Sequence, residues 1–293
     1  MNKLYIIALI LSLTSCLDLD DNLYSPDKIT KYKWDDYDGE TEISLDDTYK
    51  IPDSLVYEFT LNSKDSTESE ATKISAVYIG SLTEIATDTV IMYCHGTADH
   101  MDRYWQRAKL LANTGSKNRF GVLMIDYRGY GLSEGEPTEA GLYADVDAAL
   151  QWLKDQGLSD KRLIYGYSLG SAPATMLAAN PISIKPSKLI LEAPFASAEV
   201  MVQDASEIAV PSSFVTNLEI NNAEEIKKVK GPFLWIHGKK DDFLNIETHG
   251  EVVYKNYLSS NSIAYRVENA NHTDVPTIMG FKEYNAAILD FLT

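Results

Sequence analysis

The chain has 293 residues, 45% hydrophobic and 24% charged, and its 43 acidic against 26 basic side chains give a formal net charge of −17. This length allows one large domain with a terminal extension, and the apolar content is enough for a sizeable core. No apolar run reaches the roughly 20 residues of a membrane helix, and the negative charge repels phosphate backbones, so nucleic acid is excluded as a partner and the acidic surface reads as solvated.

The first three residues give a short basic start, residues 4–13 an apolar stretch too short to span a bilayer, and Thr14-Ser15 present small residues before Cys16. Residues 1–15 therefore have the layout of a secretory signal. The run Leu13-Thr14-Ser15-Cys16 also resembles the lipobox of bacterial lipoproteins, which implies cleavage before Cys16, lipid on its sulfur and a place in the bacterial cell envelope, anchored to a membrane. The chain's other cysteine, Cys94, lies in the apolar run Val90-Ile91-Met92-Tyr93-Cys94 and reads as a buried structural thiol. A disulfide framework is not expected.

Residues 17–47 hold eleven acidic side chains against three lysines, a local charge of −8. Such a composition buries too little apolar surface to offset the entropy of ordering, so 16–52 is expected to be a lipidated cysteine and an acidic tether. Tyr32, Trp34 and Tyr37 supply rings able to dock part of it. From residue 53 onward β-branched runs alternate with helical periodicity. The spacing predicts strands at 54–61, 73–79, 89–94, 121–126, 162–165, 188–191, 232–236 and 263–267, the first two as a hairpin. Helices are predicted at 101–112, 140–154, 168–179, 198–208, 223–229, 247–257 and 281–291. Helix-length crossovers between later strands imply a mostly parallel eight-stranded sheet covered on both faces, within one domain over 53–293.

The chemistry centres on Leu163-Ile164-Tyr165-Gly166-Tyr167-Ser168-Leu169-Gly170, a strand followed at once by Gly-x-Ser-x-Gly and a small-residue helix. A sharp strand-to-helix turn exposes the Ser168 hydroxyl, and glycines at 166 and 170 relieve the crowding. A serine hydroxyl is a weak nucleophile and needs a base with an orienting acid. His272, in Asn269-Ala270-Asn271-His272-Thr273-Asp274 after the last strand, supplies the base. The loop after Leu234-Trp235-Ile236-His237-Gly238 carries two acids, Asp241 and Asp242, with Asp241 preferred on motif position. The backbone N–H groups of Thr97 and Leu169 are the candidate oxyanion hole. His95 ends a strand, His100 reads as a helix cap or part of the site mouth, and His237 and His249 read as packing or surface residues. His, Cys and carboxylates show no metal-ligand spacing, and no cofactor or metal is expected.

These segments together resemble the α/β-hydrolase superfamily over roughly 53–293, joined by His95-Gly96, Asp126-Tyr127-Arg128-Gly129-Tyr130-Gly131-Leu132-Ser133 and Leu191-Glu192-Ala193-Pro194-Phe195. Gly129-Tyr130-Gly131 and the serine motif are similar to those of uncapped membrane-associated esterases and protein depalmitoylases. Thr97 stands where such proteins often carry asparagine. The resemblance implies a three-layer α/β fold and a serine hydrolase that cleaves an ester or thioester of a small-molecule or acylated substrate through an acyl-enzyme. A serine peptidase of related fold and a non-catalytic binding lipoprotein are the alternatives. Only 35 residues, 196–230, stand where relatives insert a cap, so no large cap domain and an open nucleophile are expected.

Overall fold

A computed structural model describes residues 23–158, 162–206 and 217–292. The expected leader and Cys16 lie outside the described residues, as do the end of the helix expected over 198–208 and residues 207–216 of the segment expected to leave the nucleophile open.

In chain order the strands are β1 (Ser25–Pro26), β2 (Val56–Ser63), β3 (Thr72–Ile79), β4 (Val90–Cys94), β5 (Ala98–Asp99), β6 (Gly121–Ile125), β7 (Arg162–Tyr167), β8 (Lys188–Glu192), β9 (Phe233–Gly238) and β10 (Ser262–Val267). The helices are α1 (Met101–Ala112), α2 (Glu139–Asp155), α3 (Ser171–Ala179), α4 (Ala198–Ser206), α5 (Asn222–Glu225), α6 (Gly250–Asn256), α7 (Val275–Met279) and α8 (Phe281–Leu292). Among the described residues eight strands form one sheet in the order β10-β9-β8-β7-β4-β6-β3-β2. Only β3 runs against the others, pairing antiparallel with both β2 and β6. This is the mostly parallel sheet that the alternating pattern implies.

The sheet's two faces follow from the period of a strand. Val90, Met92 and Cys94 of β4 point into one core with α2 and α3, whereas Ile91 and Tyr93 point into the other with α1 and α8. Both faces being dry, β4 reads as an unbroken apolar run. The α2 helix buries Leu142, Val146, Ala149, Leu150 and Leu153, a single helical stripe, and its first turn is capped by Thr138 Oγ1 accepting from Gly141 N at 3.0 Å. Two elements escaped the sequence pattern. One is α7, whose five residues are too few for a periodic signal, and the other is the ribbon of β1 and β5.

The ribbon belongs to a larger departure from the pattern, N-terminal to residue 53. Residues 23–52 are a strap packed on the domain rather than a tether. Leu23, Ile43 and Ile51 are buried, and Trp34 stacks on Tyr32 at 4.6 Å and meets the Trp105 ring at a tilt, 4.7 Å away. The carboxylate of Asp102, 2% exposed, accepts from the backbone N–H groups of Lys33 and Trp34, each at 2.8 Å. Asp35 takes the Trp105 indole N–H at 3.0 Å and pairs with Lys109, and Tyr32 donates to Asp126 at 2.6 Å. Segment composition counts the acids but not the distant donors that neutralise them.

Asp102→Ala is expected to lower stability by about 1–3 kcal/mol, since two backbone donors lose their acceptor beneath Trp34. Urea melts measure the loss, and limited proteolysis should show faster cleavage within 23–52; unchanged values for both would mean that the aromatic contacts alone hold the strap.

Candidate active site

The turn after β7 is a backbone outlier with a steric explanation. Ser168 has φ of +50°, and a short 3-10 turn, Ser168–Gly170, leads into α3. A Cβ on residue 166 would stand 2.5 Å from the Gly170 carbonyl oxygen, and one on residue 170 would overlap the Cys94 carbonyl of neighbouring β4. Glycine at both positions allows the close approach, and the surrounding packing holds Ser168 in its left-handed conformation.

His272 and Asp241 arrive from adjacent parallel strands. The loop after β9 and the loop after β10 are joined by Lys239 N to Val267 O at 2.9 Å and Lys240 N to Ala270 O at 2.8 Å. His272 Nε2 lies 2.9 Å from Ser168 Oγ, and His272 Nδ1 lies 2.8 Å from Asp241 Oδ2. A carboxylate only accepts, so Nδ1 carries the imidazole proton and Nε2 is free to accept from the serine hydroxyl. Asp241 Oδ1 accepts from the N–H groups of Phe243 at 3.1 Å and Leu244 at 2.7 Å. Burial by itself would raise the Asp241 carboxyl, but hydrogen bonds from His237 and His272 outweigh it and hold the group well below the usual carboxylate range. Asp242 is exposed, and its backbone N–H donates to Asn271 Oδ1 at 3.1 Å, so Asp241 is the acid on His272.

Thr97 and Ser168 line one cleft of about 80 Å³, with His272, Tyr167, Phe243 and Glu40 around it, and Leu169 follows Ser168 in the turn. The Thr97 loop is clasped by the strap: Thr97 Oγ1 donates to the Leu23 carbonyl, and Ser25 N donates to the Thr97 carbonyl at 3.2 Å. Two larger cavities, about 440 and 490 Å³, lack Ser168 and His272, though Phe243 also borders the second. Among the described residues no group of three or more His, Cys, Asp or Glu has the arrangement of a metal site.

A family model described as serine aminopeptidase, S33, matches residues 86–229, which include Ser168 but neither Asp241 nor His272. Alpha/beta hydrolase domain-containing protein 17C of Mus musculus is 31% identical over 189 residues, 63% of this chain and 54% of that protein. Alpha/beta hydrolase domain-containing protein 17B of Xenopus tropicalis is 30% identical over 207 residues, 69% of this chain and 66% of that one. The chain thus spans between about half and two thirds of the length of these curated relatives. Among solved structures, the Pyrococcus furiosus esterase Pf2001 superposes with a TM-score of 0.66 at 16% identity, covering 92% of this chain and 98% of that one. XC6422 of Xanthomonas campestris, described as an a/b serine hydrolase without lid, gives 0.55 at 16% identity, covering 83% and 96%. The chain has the α/β-hydrolase fold.

Other parts of the site carry no motif. Glu192, at the end of β8 and fully buried, accepts from Arg107 Nη1 at 2.5 Å, from Tyr284 at 2.7 Å and from Tyr165. Burial and the Glu192 charge push both phenols well above their ordinary range. Arg107 also donates through Nη2 to the Thr273 carbonyl at 2.5 Å and lies 4.2 Å over the Tyr167 ring, whose hydroxyl donates to the His272 carbonyl at 3.2 Å. One buried cation therefore steadies His272 and Thr273 of the loop after β10. The available signal was a carboxylate closing the apolar run Lys188-Leu189-Ile190-Leu191-Glu192, since a buried charge needs a partner.

The remaining histidines are buried. His95 Nδ1 donates to the Gly96 carbonyl at 2.7 Å, and His100 sits at the N-cap of α1 without a side-chain cap bond. His249 Nδ1 accepts from Ala196 N at 3.1 Å, which removes the surface reading for that residue. Cys94 is a buried free thiol, raised by burial above its ordinary range.

Arg107→Met leaves the Glu192 carboxylate buried without its cation and is expected to destabilise the fold by about 3–5 kcal/mol. Denaturant melts at neutral pH read this directly; a loss below about 1 kcal/mol would mean that the two tyrosines suffice for Glu192.

Proposed function

We propose that this chain is a serine hydrolase that cleaves a carboxylic ester or thioester through an acyl-enzyme. The single observation that carries the reading is the hydrogen-bonded series Ser168 Oγ, His272, Asp241, with both contacts below 3 Å. Ser168 Oγ attacks the substrate carbonyl carbon while His272 Nε2 takes its proton. The charge that develops on the carbonyl oxygen is received by the N–H groups of Thr97 and Leu169, the second at the start of a helical turn. His272 then gives the proton to the departing alkoxide or thiolate as the carbon–oxygen or carbon–sulfur bond breaks. Water, deprotonated by the same imidazole, releases the acid and restores Ser168. Asp241 stays ionised and orients the ring throughout. The names of the solved relatives support an ester, and the depalmitoylase resemblance supports an acylated substrate. The description of the matched family model favours a second reading, a peptidase using the same residues.

We further infer that Cys16 is lipidated and anchors the chain in a bacterial cell envelope. The support is the run Leu13-Thr14-Ser15-Cys16 behind a short apolar stretch. Among the described residues no helix is long and apolar enough to cross a membrane. Wild type should sediment with membranes and Cys16→Ala should not; equal partitioning of the two would remove the anchor.

Ser168→Ala is expected to cut turnover of a soluble nitrophenyl ester by at least about a thousandfold with melting unchanged, and to abolish fluorophosphonate labelling. Labelling that persists in the alanine variant would overturn the serine mechanism. The mechanism needs the lone pair of the base to accept from Ser168, so the rate should fall toward acid pH. Asp241 adds no second step at mildly acidic pH, because its carboxyl is held below its ordinary range. Its contribution to stability is present above the ordinary aspartate range and is lost as pH falls through the lower folded value.

A further inference from the structure

Asp241 faces two imidazoles. His237 Nε2 lies 3.0 Å from Asp241 Oδ2, the same oxygen that His272 reaches at 2.8 Å, and 3.0 Å from the Leu244 carbonyl oxygen. Both neighbours of that nitrogen are acceptors, so Nε2 carries a proton and donates to them. His237 Nδ1 is buried with no partner among the described residues. A proton there would be a buried donor with nothing to bind, which holds the ring in its Nε2–H form.

The fold makes room for this ring. His237 is next to last in β9 and 0% exposed. A Cβ on residue 250, the first of α6, would overlap His237 Nδ1 and stand 2.7 Å from the Trp235 ring, and residue 250 is glycine. The other groups facing His237 are the Trp235 ring, edge-on at 5.9 Å, and His249 beside α6, whose Nε2 lies 3.3 Å from Asp204 of α4.

We propose that His237 is a positioning residue of the catalytic centre, sharing Asp241 Oδ2 with His272. This rests on the serine-hydrolase reading. With Oδ1 held by two backbone N–H groups and Oδ2 by two imidazoles, the carboxylate cannot rotate away from His272. Each donor also draws on the negative charge of Asp241, so His237 limits how strongly that charge stabilises a proton on His272. Without His237, His272 keeps its proton to higher pH, and less of the enzyme holds a free base at any given pH.

Three proteins test this: wild type, His237→Phe, which keeps a ring but no donor, and His237→Gln, which keeps an N–H. Two readouts are compared, the titration of His272 by NMR with 15N-labelled imidazoles and kcat/KM against pH on nitrophenyl butyrate. In His237→Phe both the titration midpoint and the acid limb should move up by at least about half a pH unit, with kcat down about tenfold and KM within about twofold. His237→Gln should return to within about threefold of wild type. If His237→Phe does not fold, His237→Asn, whose amide stops short of Asp241, takes its place. An unmoved His272 titration in the donorless variant overturns the proposal, as does a Gln variant as impaired as the Phe variant. A wild type that hydrolyses no ester and takes no fluorophosphonate overturns the hydrolase reading instead, and the NMR titration then decides on His237 alone.

Discussion

Ser168 keeps its left-handed backbone only because nothing stands where side chains at 166 and 170 would be. The space that residue 170 leaves empty is bounded by the Cys94 carbonyl, so the turn is shaped by the pairing of β7 with β4, Cys94 opposite Gly166. Parallel pairing then continues on one side through β8, β9 and β10, so their last residues emerge along one edge of the sheet. Along that edge the loop after β4 brings Thr97, β8 ends on Glu192, and the loops after β9 and β10 bring Asp241 and His272. The site is the place where five parallel strands end, as open parallel sheets require.

Charge is handled differently inside and outside this edge. Most acidic side chains among the described residues are exposed or half-buried, but each acid drawn into the interior near the site has named donors. Glu192 has Arg107 and two tyrosines, Asp126 has Tyr32 and Met101 N, and Asp241 has two backbone N–H groups besides its imidazoles. Unpaired, each would be driven toward its protonated form by desolvation. An ionised Asp241 is what lets His272 present a lone pair to Ser168. The hydrogen bonds that hold Asp241 ionised thus belong to the chemistry as much as to stability.

Strand and helix positions were legible because apolar runs and periodicity are local signals, and the order of Ser168, Asp241 and His272 along the chain anticipates the loops that the structure brings together. What sequence reading missed depends on pairings between distant residues. Arg107 and Glu192 are 85 positions apart, and nothing near either names the other. His237 reads as a packing or surface residue because its contact with Asp241, four residues on, depends on the fold of the loop and not on the spacing. The strap at 23–52 was read as a tether because its charge suggests solvation, whereas Asp102 and Trp105 on α1 supply the contacts that order it.

That strap changes what the N-terminal segment means for the site. Leu23 and Ser25 hold the loop carrying Thr97, and Glu40 lines the cleft beside Ser168, so the strap forms part of the site's wall. Leu23 is seven positions beyond Cys16. At about 3.3–3.6 Å per extended residue that stretch reaches at most about 25 Å. Leu23 contacts the loop carrying Thr97, so under the proposed lipidation Cys16 lies within that reach of the cleft. A substrate whose acyl chain lies in the same membrane is then within a short reach of Ser168, whereas a loose tether of the 37 residues from Cys16 to Pro52 would span several times that distance and leave the cleft free to face away.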